Sequence, residues 1–558
     1  MPGCAQKRKR VPQLKLRGQV GRKIAMHQRG RTKFRRFFNL MAPVNRPDSI
    51  GRIDMTAISE SAPVAPRQPA ALQTTEPFRW GLGLAVLALL AVLLLPTPAG
   101  LPVAGHRMLG ILAFAVVVWI TEALDYAVSA VVIAALMAFL LGLSPDPANP
   151  KVMMGTSRAL GIAFSGFANT ALALVAAALF LAAAMTVTGL DRRIALSILA
   201  RVGTKTSSVV IGSMLVGIVL AFMVPSTTAR VSCLVPIMMG IVAAFGVSKK
   251  SAFAGMLLIT TAQTASIWNV GIKTAAAQNM VAVGFIEKQF GKTITWLDWL
   301  IAAGPFALIM TVVLYFVMMW MMPPEEREVP GGAKTVRDSL DALGPISGAE
   351  IRLLVISLSL IALWATEGIL HRFDTSSTTI AAIALLFLPG VAVMSWKKAQ
   401  TVIPWGTIVL FGIGISLGAA LLSTRAATWL ADLVVMQFGL KQATAMFILA
   451  VMGLFLIVIH LGFASATALA SAMIPIVIAV LQNVTTPGIN QLGMTMLMQF
   501  VVSFGFILVV NAPQNMVAYG TETFEAKDFV KTGLVLTVVA YALVLILGAT
   551  YWRWLGYM

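Results

Sequence analysis

The sequence predicts an all-α polytopic membrane protein with about 11 transmembrane helices plus two re-entrant hairpins in two inverted repeats. Three observations carry that prediction: the composition, the recurrence of bilayer-length apolar runs, and three motifs that each occur twice in the same order. Of the 558 residues, 58% are hydrophobic and only 11% are charged. Soluble domains are nearer 25% charged, so most of this chain belongs in lipid. The mean hydropathy of +0.86 agrees. In hydrocarbon every backbone amide needs an internal partner, which makes the apolar runs helices.

A net charge of +20 could suggest nucleic acid, but its placement argues otherwise. Much of it lies in residues 1–54, where Lys7 to Arg10 and Arg29 to Arg36 meet no acid before Asp48. Residues 1–79 read as a basic tail too polar to pack. An Arg-rich targeting presequence would look similar, yet Met55 opens an ordinary polar lead into the first span, so a start there is expected. The partner is the lipid bilayer, not nucleic acid. Cys4 and Cys233 stand in unlike contexts, and no disulfide framework is expected.

A first transmembrane helix falls in 80–105, ending at Pro96-Thr-Pro98. Apolar blocks follow near His106–Leu124, Tyr126–Leu143, Leu160–Leu190, Ser208–Phe245, Ser251–Ile286 and Ile301–Met322. After a polar linker at 323–350, expected to be cytoplasmic, come Ile351–Leu370, Thr378–Met394, Trp405–Leu422, Met446–Leu481, Met494–Tyr519 and Lys531–Trp552. A crossing takes roughly 20 residues. Ser208–Phe245 and Met446–Leu481 are too long for one span and are interrupted at 225–229 and 464–468, so each reads as a hairpin returning to the side it entered. Non-helical backbone at membrane depth survives only where protein or a water-filled cavity satisfies it. The two tips are therefore candidate sites.

Trp119-Ile-Thr-Glu122 recurs as Trp364-Ala-Thr-Glu367, Ser226-Thr-Thr-Ala229 as Ser465-Ala-Thr-Ala468, and Gln278-Asn-Met-Val-Ala as Gln514-Asn-Met-Val-Ala, at offsets of 245, 239 and 236 residues. Two repeats, 106–322 and 351–558, follow from this. Each holds five spans and one hairpin, and an odd span count turns the second copy upside down, with a binding site at the repeat interface. Joints on one side hold Arg192, Arg193, Lys249, Lys250, Lys397, Lys398, Lys527 and Lys531 among others, and the opposite joints hold fewer basic residues. That bias places the N-terminus in the cytoplasm.

At the tips, hydroxyls and freed carbonyls suit a small cation, while helix N-termini aimed at the midplane suit an anion. A kink relieved by hydroxyls is the plainer alternative for one tip, and recurrence in both copies favours a site. The breaks Gly271-Ile-Lys-Thr274-Ala-Ala-Ala-Gln-Asn279 and Asn511-Ala-Pro-Gln-Asn515 interrupt helices in corresponding positions, the pattern of a carrier's site. Asn279 and Asn515 can donate to a carboxylate or offer a carbonyl to a cation.

From Trp80 onward, the Trp-x-Thr-Glu segment, the Phe-Gly-Ile-Gly core of Trp405–Gly418, both tips and Asn515-Met-Val-Ala-Tyr-Gly520 together resemble the divalent anion:sodium symporters, which carry dicarboxylates, citrate and sulfate. Tips of that family usually read Ser-Asn-Thr. Here Thr227 and Ala466 replace the middle Asn. The Ser-Ala-Thr tip is similar to the citrate/succinate and oxoglutarate/malate antiporter branch. The resemblance implies substrate binding by Ser226, Thr228, Asn279, Ser465, Thr467 and Asn515, and the hydroxyl of Thr227 and the first-break residues Lys273 and Thr274 are further substrate-binding candidates by their position. It implies cation binding by Ser226, Thr228, Asn279, Ser465, Thr467 and Asn515, with sodium as the coupling ion and no other cofactor. It also implies small carboxylate anions as substrates, a homodimer, and the plasma (inner) membrane of a bacterium.

The remaining polar residues have two readings each. Glu122 and Glu367 near span ends suit structural pairing or a proton relay. Arg230, just past the first tip, faces the anion or snorkels, and His460 makes a polar contact or titrates. Gly291-Lys-Thr293 ends like a phosphate loop but Ile286 stands where its first Gly belongs, and no histidine opens a His-Glu-x-x-His motif. No nucleophile, metal cluster or acid pair points to an enzyme, and a channel would not need paired hairpins. A secondary carrier of di- or tricarboxylates by alternating access remains, with sodium symport of dicarboxylate or sulfate as the alternative coupling. Lys273 bears on that choice: an ammonium at mid-membrane costs roughly 2.5–3.5 kcal/mol unless compensated. Either neighbouring carbonyls pin it, or it supplies fixed positive charge where symporters use sodium, which favours anion exchange.

Overall fold

The structure, a computed structural model, describes residues 78–203, 205–325 and 332–558. The tail expected over 1–79 lies outside these residues apart from its last two positions, and so do residues 326–331 of the linker. What is described lies in the compact unit Thr74–Met558 and is almost wholly helical. Strand is confined, among the described residues, to the short antiparallel pair β1 (Pro145–Asp146) and β2 (Asn149–Met153) in one joint.

The first half runs through α1 (Phe78–Leu94), α2 (Val103–Thr121), α3 (Tyr126–Leu136, prolonged by a π turn to Leu141), α4 (Thr156–Phe164), α5 (Thr170–Thr188) and α6 (Leu190–Leu199). The first tip joins α7 (Thr206–Met223) to α8 (Thr227–Ala244), and the first break joins α9 (Ala252–Gly271) to α10 (Ala277–Phe290) before α11 (Trp296–Met321). A linker helix α12 (Gly332–Asp341) precedes α13 (Gly348–Thr366), α14 (Thr375–Phe387), α15 (Trp396–Val402), α16 (Trp405–Ser423) and α17 (Ala426–Gln437). The second tip joins α18 (Ala445–His460) to α19 (Ala466–Asn483), and the second break joins α20 (Gln491–Val502) to α21 (Pro513–Tyr519). The chain ends in α22 (Ala526–Ala549) and α23 (Tyr551–Trp554). With the short or joint helices α4, α6, α12, α15, α17 and α23 set aside, each interrupted helix taken as one crossing and each tip pair as one hairpin, these are the eleven crossings and two hairpins expected.

Helices begin where the joints supply caps. Asp125, Asn169, Ser251 and Asp374 accept first-turn amides of α3, α5, α9 and α14, and Thr295 with Asp298 closes a capping box on α11. Each such cap is worth about 1 kcal/mol. Without water, caps are also the means of satisfying first-turn amides near the membrane.

One expected span differs. Leu160–Leu190 is broken by a 3₁₀ turn, Ser165–Ala168, before Asn169 restarts the helix as α5. The cause is packing. Gly166 lies on α16, its amide donating to Ser416 Oγ at 2.8 Å, and a Cβ there would fall 2.1 Å from the Gly412 carbonyl. Nor did the expected order include α6 and α17, short helices that follow α5 and α16 in corresponding positions.

Helix α16 is the spine between the two halves. It packs on α3, α4 and the 165–168 turn along one side and on α10 and α19 along another. At Gly418 a Cβ would stand 2.2 Å from the Phe285 ring and 2.6 Å from Pro475. Lipid supplies little hydrophobic drive between helices, so such close approach of small residues is what holds them together.

Candidate functional site

Both tips are built alike. Ser226 (φ −144°, ψ 111°) and Ser465 (φ −142°, ψ 114°) are N-caps of α8 and α19, each Oγ accepting the amide three residues on, from Ala229 and Ala468, at 3.3 Å. The extended backbone before each cap turns the chain so that the helix N-terminus points inward. These tips meet in one cavity of about 500 Å³, within the range of small-ligand sites. Its walls include Ser226, Thr227, Thr228, Ser465, Ala466 and Thr467 together with Ala277, Gln278, Ala512 and Gln514 from the two breaks.

The N-termini of α8, α10 and α19 therefore converge on the same space, and the seven-residue α21 begins beside them. Each helix presents about half a positive charge at that end. The wall carries no charged side chain: no Asp, Glu, Lys or Arg lines it among the described residues, and Thr186, Ser232, Asn269 and Thr407 share it with apolar residues such as Leu179, Val402, Leu410 and Phe411. Thr228 and Thr467 have no hydrogen-bond partner among the described residues, so both hydroxyls are available to a ligand. A second cavity of about 530 Å³ between α3, α4 and α16 is lined by Val131, Ala134, Phe139, Leu160 and Phe164. With almost no polar wall, it has nothing to recognise an ion.

Behind the tips lies a brace. Arg230, 1% exposed, leans back toward the N-terminus of its helix, as helical side chains do. Its Nη1 donates to Val224 O at 3.0 Å and Ala275 O at 3.2 Å, and its Nη2 to Asn269 Oδ1 at 2.7 Å. One guanidinium thus ties the first tip to the first break. The motif offset of 239 residues puts Leu469 in the corresponding place of the second half. There the tip carbonyls are served by a neutral amide instead: Asn511 Nδ2 donates to His460 O at 2.8 Å and Phe463 O at 3.0 Å.

The asparagines of the breaks stand behind the cavity rather than in its wall. Asn279, fully buried, donates from Nδ2 to Asn269 O at 2.7 Å and Ile272 O at 3.1 Å. Asn515 donates to Gly505 O at 2.9 Å. Both hold the opened backbone together, and Asn515 Oδ1 remains buried without a partner.

Lys273 also differs from the reading as charge presented to the site. It is 4% exposed, its Nζ donates to Ile294 O at 2.6 Å, and it faces the start of α11. Thr274 lies beside it and accepts Trp296 Nε1 at 3.1 Å. The 3₁₀ turn at 273–275 sends both side chains away from the cavity. His460 is buried with neither ring nitrogen partnered, and Glu122 and Glu367 pair with Tyr126 and Thr375 near span ends.

Gln278, Gln514 and Asn269 are among the wall residues that the sequence did not single out. Gln278 reaches Ser503 Oγ at 3.4 Å and Gln514 reaches Ser266 Oγ at 3.1 Å, each bracing its break against the other half. They stood beside the repeated Asn in both copies of the motif, which was the available signal. Asn269 lies inside uninterrupted helix and carried none.

The described chain is matched from residue 78 to residue 558 by the family described as the sodium:sulfate symporter transmembrane region. A membrane protein of Cupriavidus necator is 57% identical over 480 residues, 86% of this chain and 93% of that one. The L-tartrate/succinate antiporter of Escherichia coli is 26% identical over 494 residues, 85% of this chain and 98% of its own. The sodium-dependent dicarboxylate transporter SdcS of Staphylococcus saprophyticus is 23% identical over 490 residues, 83% of this chain and 90% of its own. Matched over all its described crossings, this chain belongs to the sodium:sulfate symporter family of membrane transporters.

Proposed function

We propose that the chain is a secondary carrier of di- or tricarboxylate anions that works by alternating access and exchanges one anion for another. The observation that carries this is the convergence of three helix N-termini and the tip hydroxyls on an acid-free cavity about 500 Å³ in volume. Such a cavity repels nothing anionic and supplies dipole ends and hydroxyls, here Ser226, Thr228, Ser465 and Thr467, that hold a carboxylate at each end of a short chain, while the Thr227 hydroxyl donates to Asn269. The antiporter and the dicarboxylate transporter among the relatives support that substrate class.

Exchange is favoured over symport by Arg230, which takes the part first considered for Lys273. Its guanidinium occupies the converging carbonyls of Val224 and Ala275, the oxygens that a cation at the first tip would need. The fixed charge makes an empty carrier costly to reorient, and a bound dianion offsets it. A second reading, sodium-coupled symport, draws on the second half: Asn515 Oδ1 is buried without a partner beside a tip that carries no arginine. An oxygen left so is suited to a sodium ion.

The motif repeat is read as inverted, with the cavity at its interface, and the basic joints put the N-terminus in the cytoplasm of a bacterial plasma membrane. The family resemblance adds a homodimer. The test is counterflow in proteoliposomes, with labelled succinate outside and unlabelled succinate, malate, oxoglutarate, citrate or sulfate inside. Accumulation with an internal carboxylate supports the reading, and linear conductance without exchange contradicts it.

A further inference from the structure

We infer that Asn269 is a substrate-binding and specificity-determining residue, its side-chain amide donating to one carboxylate of the anion in the cavity. This rests on the carrier reading above and adds an amide donor beside the Thr228 hydroxyl of the first tip. Asn269 is 3% exposed, lines the cavity, and faces the tip from α9.

The orientation of its amide is set by its neighbours. Arg230 can only donate, so the atom 2.7 Å from Nη2 is the oxygen, and Thr227 Oγ1 donates to the same oxygen at 2.7 Å. Two donors fix Oδ1, which turns the Nδ2 end the other way. That nitrogen makes no hydrogen bond among the described residues and is not sealed from solvent, although nearly all the rest of the residue is buried. It presents two N–H groups to the cavity.

The same geometry explains why α9 supplies a donor that Thr227 does not. Thr227 lines the cavity, but its hydroxyl hydrogen is committed to Asn269 Oδ1. The hydrogen bond to the anion is in effect handed across from tip to helix. Arg230, behind both, polarises the amide while staying out of the wall.

The second half has no equivalent. Asn515 donates to the carbonyl of Gly505 as Asn279 donates to the carbonyl of Asn269, so Gly505 is the corresponding position and has no side chain. The cavity is therefore lopsided. One carboxylate meets an amide with an arginine behind it, and the other meets the Thr467 hydroxyl and the N-terminus of α19.

The experiment measures succinate affinity by thermal-shift titration of purified protein, alongside KM and maximal rate of succinate counterflow, in wild type, Asn269→Ala and Asn269→Asp. Asn269→Ala removes the donor and keeps the arginine's charge. It is expected to raise Kd and KM about tenfold or more, with a smaller change in maximal rate, the loss of a hydrogen bond to a charged group. Asn269→Asp keeps the acceptor for Arg230 and Thr227 but offers the anion a carboxylate, so its loss should be larger, with melting close to wild type. Wild-type Kd and KM in Asn269→Ala would overturn the inference while leaving the carrier reading intact. A wild-type protein that neither binds nor exchanges succinate, malate, citrate or sulfate would overturn the carrier reading and the inference with it.

Discussion

The N-cap serines of the two tips share φ and ψ to within a few degrees, yet the tips are held from behind by different chemistry. At the first, the carbonyls of Val224 and Ala275 receive a guanidinium; at the second, those of His460 and Phe463 receive the neutral amide of Asn511. Caps so closely matched show that the start of the helix at a tip does not need an arginine to take its geometry. Arg230 is then a difference in charge more than in structure, and a buried charge beside a transport site changes what can cross empty. The comparison locates the coupling question in the first half and leaves the second as the place where a cation could still bind.

The largest expected effect comes from removing that charge. Arg230→Ser strands the acceptors Val224 O and Ala275 O, while Asn269 Oδ1 keeps the Thr227 hydroxyl, each stranded carbonyl costing about 1–3 kcal/mol when buried and unmet. Exchange measured in choline should fall about a hundredfold, two such losses. Part of it should return in sodium, since a small cation can then reach the freed carbonyls. No sodium effect would break the equivalence drawn between guanidinium and cation.

Next come the tip hydroxyls. Thr228→Ala and Thr467→Ala should each lower counterflow about tenfold, with melting temperature little changed because neither hydroxyl is used within the described protein. If both variants exchanged at the wild-type rate, the tips would be kinks and not sites.

Lys273→Met should change exchange less than twofold, a change worth under about 0.5 kcal/mol, because Nζ is spent on Ile294 O and faces away from the cavity. A large loss would move the functional charge from Arg230 back to Lys273. Smallest of all, Glu325 accepts the amides of Ala252 and Phe253 at the start of α9. Burial pushes its carboxyl up, but those amide bonds prevail and hold it below the usual carboxylate range. A depressed folded-state pKa stabilises above the unfolded value and is lost as pH falls through the folded one. Melting of wild type should thus approach that of Glu325→Gln in acid below that range, and the two should differ most near neutral pH.

Crossings, tips and breaks were legible because their signals are local: a run of apolar residues, a proline at 225, hydroxyls where a helix should continue, the same letters again some 240 residues on. The turn at 165–168 was not, because its cause is the bare backbone of Gly412 on a helix distant in sequence. Lys273 misled for a related reason. Its place in the break was right, but sequence gives no side-chain direction, and the turn points it toward α11 while Arg230, from the helix beyond the tip, points back. Asn269 shows no pattern until Arg230 and Thr227 are seen to meet on its oxygen.

The proposed role of Arg230 is to make this carrier an exchanger. Its most direct test is succinate uptake into proteoliposomes with and without internal dicarboxylate, each in sodium and in choline. Uptake is expected to require internal dicarboxylate and to proceed equally well in choline. Robust uptake into empty vesicles, driven by a sodium gradient, would contradict it.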